Sequence, residues 1–231
     1  RIQSFSKSIN EALEQSMRKN KNVIIIGLGV DDPKGVFGTT KGLNQKFKKN
    51  RVFDMPTSEN SLTGFAIGVA LEGKRPVIVH QRVEFSLLSM DQIVNQAAKW
   101  FYMSGGKKPV PIVIRLIIGR GWGQGPQHSQ SLESLFAHIP GLKVVCPSNP
   151  FNAKGLLNAS IKDNNPVIFF EHRWLHEIVG DVPKKYFELE LGKSRYVNRG
   201  KDLTIVAFSY TVLMSLKIRE ILIKNNISTE I

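Results

Sequence analysis

The chain has 231 residues, 42% of them hydrophobic and 9% aromatic, which suits a globular protein with a real core and one large or two modest domains. No apolar run approaches the ~20 residues of a membrane span, nothing near Arg1 has the pattern of a secretory signal, and the single cysteine, Cys146, excludes an internal disulfide. A net charge of +13 raises nucleic-acid binding, but the densest basic groups (Lys41, Lys46, Lys48, Lys49 and Arg51; Lys193, Arg195, Arg199 and Lys201) lack interleaved aromatics and helix-turn-helix or zinc-finger spacing, so neither nucleic acid nor membrane is an expected partner.

In residues 4–19, Ile9, Leu13 and Met17 recur at helical spacing, with Glu11 and Glu14 facing Arg18 and Lys19. Residues 22–27 form an apolar run ended by glycine, the pattern of a strand buried on both faces. A polar loop over 31–38 leads to a helix predicted over 39–48 and a short strand over 51–54. Pro56 stops that strand, Thr57 and Ser58 are good caps, and Leu62, Phe65, Ala66, Val69 and Ala70 continue as a helix. Gly64 and Gly68, four apart, suit close packing of that helix. A strand over 75–80 precedes a helix over 91–103, with Ile93, Val94, Ala97, Ala98 and Phe101 expected inward and Gly105-Gly106 ending it.

Another buried strand is expected over 111–118. The loop after it carries Gly119, Gly121, Gly123 and Gly125 but lacks the G-K-[ST] ending of a mononucleotide loop. A strand over 142–146 makes Cys146 a buried, inert thiol. Asn149 caps a helix with Pro150 at its first position, running to about residue 163, and residues 166–171 are the next strand. Residues 172–202 read as irregular, 203–208 as a strand and 211–224 as a helix. The alternation predicts an α/β fold, a parallel sheet covered by helices on both faces. Residues 1–195 are expected to be one domain, and 196–231 the incomplete start of a second.

Glu59 falls at a strand-to-helix junction, where open α/β sheets bind ligands. Spacing alone favours the other reading, a capping carboxylate stabilised by the helix dipole. His138, His172 and His176 have no zinc-site spacing around them.

Asp54-Met55-Pro56-Thr57-Ser58-Glu59 resembles the D-x-P-x-S-E segment of the beta subunit of pyruvate dehydrogenase and related 2-oxo acid dehydrogenases. Three further blocks resemble the same family in the same order: Asp91-Gln92-Ile93 with Tyr102-Met103-Ser104-Gly105-Gly106, then Gln127-His128-Ser129-Gln130, then Pro140-Gly141-Leu142-Lys143-Val144-Val145 with Asp163-Asn164-Asn165-Pro166-Val167. The resemblance implies a transketolase-like pyrimidine-binding domain. It also implies a half-site for thiamine diphosphate, with a C-terminal domain beginning near residue 196.

The resemblance gives Glu59 the role of a carboxyl that hydrogen-bonds the cofactor's pyrimidine and drives its tautomerisation. Burial should raise the pKa of a group working in this way. Phe85 matches the aromatic on the pyrimidine face. His128 matches the histidine near the substrate and lipoyl entrance, where it can pass protons. Ile112, Ser160, Ile161, Asp163 and Asn165 match a structural potassium site made mostly of carbonyl oxygens. The G-D-G…N-N signature for magnesium and diphosphate is missing, so an alpha subunit is expected to bring it. The other expected partners are a second beta subunit and a lipoyl acyltransferase. The expected activity is oxidative decarboxylation of a small 2-oxo acid in the cytoplasm, or in the mitochondrial matrix of a eukaryote.

Two stretches depart from the family pattern, Val79-His80-Gln81-Arg82-Val83-Glu84 and the glycine loop with Arg120 and Trp122. They leave open a split transketolase-like enzyme acting on a sugar or cell-envelope precursor, or a catalytically silent subunit.

Overall fold

The computed structural model describes residues 1–48 and 50–231. Lys49, one of the basic group noted above, lies outside the described residues. A short strand β1 (Ile2–Ser4) leads into helix α1 (Phe5–Lys19), capped by Ser4, whose Oγ accepts from Lys7 N. Strand β2 (Val23–Gly27), helix α2 (Leu43–Phe47), strand β3 (Val52–Asp54), helix α3 (Glu59–Leu71) and strand β4 (Arg75–His80) follow.

A 3₁₀ segment, Val83–Ser89, runs into a π-helical turn, Asp91–Ala97, and helix α4 (Ala98–Met103). Strand β5 (Val113–Ile118), helix α5 (Glu133–Ala137), strand β6 (Lys143–Val145), helix α6 (Pro150–Lys162) and strand β7 (Val167–His172) complete the main layer. Strand β8 (Val179–Asp181) pairs back antiparallel onto β1. The chain closes with β9 (Leu203–Thr204), helix α7 (Thr211–Lys224) and β10 (Thr229–Glu230).

Six strands form one parallel sheet in the order β3-β2-β4-β5-β7-β6, the predicted architecture. Its central strands are buried on both faces, which is why they read as continuous apolar runs rather than alternating ones. One face packs on α1 and α6 through Ile9, Leu13, Met17, Ala153 and Leu157. The other packs on α3 and the π-helical turn through Leu62, Ala66, Ile93 and Ala97. Apolar burial of this kind contributes roughly 1.5–3 kcal/mol for each large side chain. Ser16 Oγ donates to Asn158 Oδ1 at 3.0 Å in the buried α1–α6 seam.

Several expectations change. The helix expected over 39–48 shrinks to α2, because Gly42 takes a left-handed conformation (φ 74°) and Thr39 and Thr40 are used in a buried turn. The helix expected over 91–103 begins as a π-turn. Phe101, expected inward, is 43% exposed, and Phe65, part of the helical repeat of α3, is 44% exposed. The strand expected over 203–208 is only β9, because its one partner, β10, is two residues long. Conversely, residues 172–202 are not wholly irregular, since β8 lies within them.

Candidate active site

The site is built at the carboxyl ends of β2, β3 and β4. Asp54, the last residue of β3, accepts hydrogen bonds from the backbone N–H groups of Gly29 (2.8 Å), Val30 (2.7 Å) and Asp31 (3.3 Å). Met55 N donates to Gly27 O at 3.0 Å. The two strand ends are thereby fixed side by side before the chain turns at Pro56.

Glu59 opens α3 and is only 7% exposed. Thr63 Oγ1 donates to the Glu59 carbonyl at 2.9 Å and holds the first turn. Ser58 occupies the cap position but turns its hydroxyl to Ser61 Oγ (3.0 Å) instead of capping the backbone. Among the described residues, the Glu59 carboxylate has no protein hydrogen-bond partner. A largely buried carboxylate with free acceptor capacity fits a ligand that presents an N–H or a protonated ring nitrogen. It therefore fits the pyrimidine half of a thiamine cofactor.

The 3₁₀ segment Val83–Ser89 packs against α3 and carries Phe85. The glycine-rich loop, residues 119–130, lies along the start of this segment. Three contacts tie them together. Arg82 Nη2 donates to Gln124 Oε1, Gln130 N donates to Glu84 Oε1 at 2.6 Å, and the rings of Phe85 and His128 meet edge to face, 5.6 Å between centroids. The Arg82 guanidinium also lies over the Trp122 ring, 4.8 Å from its centroid. So the two stretches that depart from the family pattern in sequence are a single contact region in space. Gly119 permits the loop's start. At its φ of +121°, a Cβ would fall 2.8 Å from Trp122 and 3.0 Å from His172.

The five residues matched to a potassium site come together around the turn after α6. Arg75 reaches into this turn. Its Nη1 donates to the carbonyls of Ile161 (3.1 Å), Lys162 (3.0 Å) and Asp163 (2.9 Å), and its Nη2 to Asn164 Oδ1 (2.5 Å). The Ile112 carbonyl accepts from Val167 N (2.9 Å) and the Ser160 carbonyl from Asp163 N (3.3 Å). Asp163 Oδ1 accepts from Asn165 N and Nδ2, and its other oxygen pairs with Lys143 Nζ at 2.5 Å. Burial works against its charged form, but the Lys143 ammonium and the Asn165 donors outweigh it and lower the Asp163 pKa. The turn thus offers carbonyl oxygens with a second lone pair each, the donor type of a hard monovalent ion. No cluster of three His, Cys, Asp or Glu able to hold a metal occurs among the described residues.

One polar group under the sheet's carboxyl end escaped the sequence reading. Arg115 and Glu171, on adjacent strands β5 and β7, are fully buried. Arg115 Nε donates to Glu171 Oε1 (2.5 Å), and its Nη2 donates to Glu171 Oε2 (2.9 Å) and Thr39 Oγ1 (2.8 Å). His176 Nε2 is 3.5 Å from Glu171 Oε2. Burial alone would raise the Glu171 pKa, but Arg115 and His176 hold it down at about 2. The signal in the sequence was an arginine inside the apolar run Val113–Ile118. Cys146, expected buried, is half-buried, but desolvation, helped by nearby Glu133, pushes its thiol up to about 12, in keeping with the expected inertness.

The transketolase pyrimidine-binding domain model matches residues 3–177. The subunit beta of acetoin:2,6-dichlorophenolindophenol oxidoreductase from Cupriavidus necator is 44% identical over 99% of this chain and 70% of its own length. The pyruvate dehydrogenase E1 component subunit beta of Porphyra purpurea is 43% identical over 87% of this chain and 61% of its own length. The 2-oxoisovalerate dehydrogenase subunit beta of Bacillus subtilis is 37% identical over all of this chain and 71% of its own length. Among solved structures, a split gene transketolase in an inactive beta4 tetramer superposes with a TM-score of 0.78 at 20% identity, covering 97% of this chain and 68% of that one, which shows a shared fold. With the pyrimidine-domain architecture, the junction at Glu59 and these relatives in agreement, the chain belongs to the transketolase pyrimidine-binding domain family and, within it, to the beta subunits of the thiamine-dependent 2-oxo acid dehydrogenases.

Proposed function

We propose that this chain supplies the pyrimidine-binding half of a thiamine diphosphate site and works in the oxidative decarboxylation of a 2-oxo acid, with acyl transfer to a lipoyl group. The observation that carries this is Glu59, largely buried at the first turn of α3, with its carboxylate unengaged by the protein among the described residues. When bound, the cofactor is the electron sink for decarboxylation.

Glu59 holds a proton at the pyrimidine ring nitrogen and exchanges it. This requires a carboxyl in a largely buried position, and Glu59 is 7% exposed at the first turn of α3. Phe85 packs on the pyrimidine face and keeps the ring within reach of Glu59. His128, held by Phe85, stands at the substrate side and moves a proton during acyl transfer, as imidazole can near neutral pH. Magnesium and the diphosphate contacts come from an alpha subunit. A second beta subunit and a lipoyl acyltransferase complete the assembly. Potassium is held by the carbonyls at Ile112, Ser160, Ile161, Asp163 and Asn165. Residues 1–195 form the pyrimidine domain, and 196–231 open a C-terminal domain.

The test is calorimetric titration of thiamine diphosphate with magnesium into the chain, with and without the alpha subunit. Weak binding alone and tight binding in the complex are expected. Tight, magnesium-dependent binding by the chain alone would overturn the shared site.

A further inference from the structure

Beyond the site of Glu59, a cavity of about 750 Å³ opens where Arg82, Trp122 and Gln124 meet Arg173, Glu177 and the rings of Trp174 and Tyr210. Two guanidinium groups share one aromatic wall. Arg173 lies 4.6 Å and Arg82 5.6 Å from the centroid of Phe37. Arg173 works against the charged form of Arg82, an opposition that an anion bound to both would relieve. Glu84 favours the charged form of Arg82, but among the described residues no carboxylate pairs with both arginines. Among the described residues neither arginine forms an ion pair; Glu84 Oε1 accepts from Gln130 N while its Oε2 is buried without a partner, and Glu177 is exposed.

Two donors at this cavity are also unused. Arg82 is only 7% exposed, and its Nη1 has no hydrogen-bond partner. The indole nitrogen of Trp122, stacked under Arg82, is likewise buried without one. Buried donors are almost always satisfied, and the unpaired buried acceptor of the same segment, Glu84 Oε2, bonds to neither, so both donors stay open to acceptor atoms of a ligand. The rest of the lining narrows the occupant. Trp174 and Tyr210 offer aromatic faces for the C–H face of a ring, while Glu177 and the Tyr210 hydroxyl can accept from hydroxyl groups. The cavity is tied to the proposed catalytic histidine, because the loop bearing Trp122 and Gln124 also carries His128.

We propose that this cavity binds a hydroxylated organic anion of sugar size, its carboxylate or phosphate seated on Arg82 and Arg173 and its ring against Trp174 and Tyr210. Calling that anion part of the substrate rests on the function proposed above; its binding does not. A second charge recognised here would distinguish this chain from a subunit acting on a small, singly charged 2-oxo acid.

The test is tryptophan-fluorescence titration of the purified full chain, since Trp122 and Trp174 report on the cavity. The probes are D-glucuronate, D-glucose 6-phosphate, D-glucose and inorganic phosphate. The two sugar anions should saturate the signal and bind at least about ten-fold tighter than glucose or inorganic phosphate. The tighter of the two names the head group. Arg82→Gln and Arg173→Gln, each checked by its melting curve, should weaken sugar-anion binding by about ten-fold or more, with Arg173→Lys partly restoring it. Glu59→Gln should bind the probes like the wild type, which separates this test from that of the thiamine chemistry. No saturable signal, equal affinity for glucose and glucuronate, equal affinity for inorganic phosphate and the sugar anions, or unchanged binding in both folded glutamine variants would overturn the proposal.

Discussion

Phe85 and His128 stand edge to face, their ring centroids 5.6 Å apart at an interplanar angle of 79°. This contact fixes the glycine-rich loop to the segment that packs on α3, and α3 carries Glu59. The groups proposed to hold the cofactor ring and to serve the substrate are therefore one mechanical unit. Replacing Phe85 by alanine should lower cofactor affinity and also disturb His128. A truncation of this kind costs about 0.5–1.5 kcal/mol in ring–ring contact beyond the lost burial. In the assembled enzyme, both the thiamine Kd and kcat should worsen. A change in Kd with kcat intact would show that the two rings act independently.

Glu59→Gln keeps the shape of the side chain but cannot share a proton. Turnover in the assembled enzyme should fall by roughly 10²-fold or more at saturating cofactor, with the circular dichroism spectrum and melting temperature close to wild type. Wild-type rate would remove Glu59 from the proton path.

The pair Arg115–Glu171 makes stability depend on acid. The Glu171 pKa is lowered from its ordinary 4.5 to about 2, so folding gains from this group above the unfolded pKa. That gain is lost as pH falls from about 4.5 through 2. Arg115→Met leaves Glu171 as an uncompensated buried charge and should cost about 3–5 kcal/mol near neutral pH. The double change Arg115→Met with Glu171→Leu should recover most of that loss. Urea unfolding of the wild type, Arg115→Met, Glu171→Leu and the double variant decides it, and additive losses would mean the pair is not coupled.

His80, at the end of β4, is 1% exposed with no partner for its Nε2, and burial lowers its pKa from 6.5 to about 4. The unfolded chain takes up a proton that the folded one refuses, so His80 should subtract stability as pH falls from 6.5 toward 4. His172 is shifted to the same range, by burial and by nearby His176, and adds to the slope. His80→Gln should flatten the pH dependence of the melting temperature in this window. An unchanged slope would assign it elsewhere.

If the carbonyl turn at Ser160 to Asn165 holds potassium, the melting temperature should rise more in potassium than in sodium chloride at matched ionic strength. A bound ion stabilises by mass action, about 2.7 kcal/mol at a hundred times its Kd. Arg75 already donates to three carbonyls of this turn, so Arg75→Met should lower stability in either salt. Identical curves for the wild type in the two salts would leave Arg75 as the turn's cation.

Sequence alone determined the sheet and its main helices, because the buried runs at Val23–Gly27, Val113–Ile118 and Val167–His172 and the helical spacing of Ile9, Leu13 and Met17 are local patterns set by backbone period. The junction that carries Glu59 was legible for the same reason, since Pro56, Ser58 and Leu62 set it within a few residues, whereas the role expected of Glu59 came from the family resemblance of residues 54–59. Tertiary structure alone decided which distant residues meet. Arg82 lies over Trp122, Phe85 touches His128, Arg75 enters the carbonyl turn, and Arg115 is neutralised by Glu171. Each of these contacts joins different strands or loops, so no period along the chain records it. Phe65 and Phe101 show the converse limit: helical spacing says which side chains share a face, but only the packing of the sheet says how wide a face is covered.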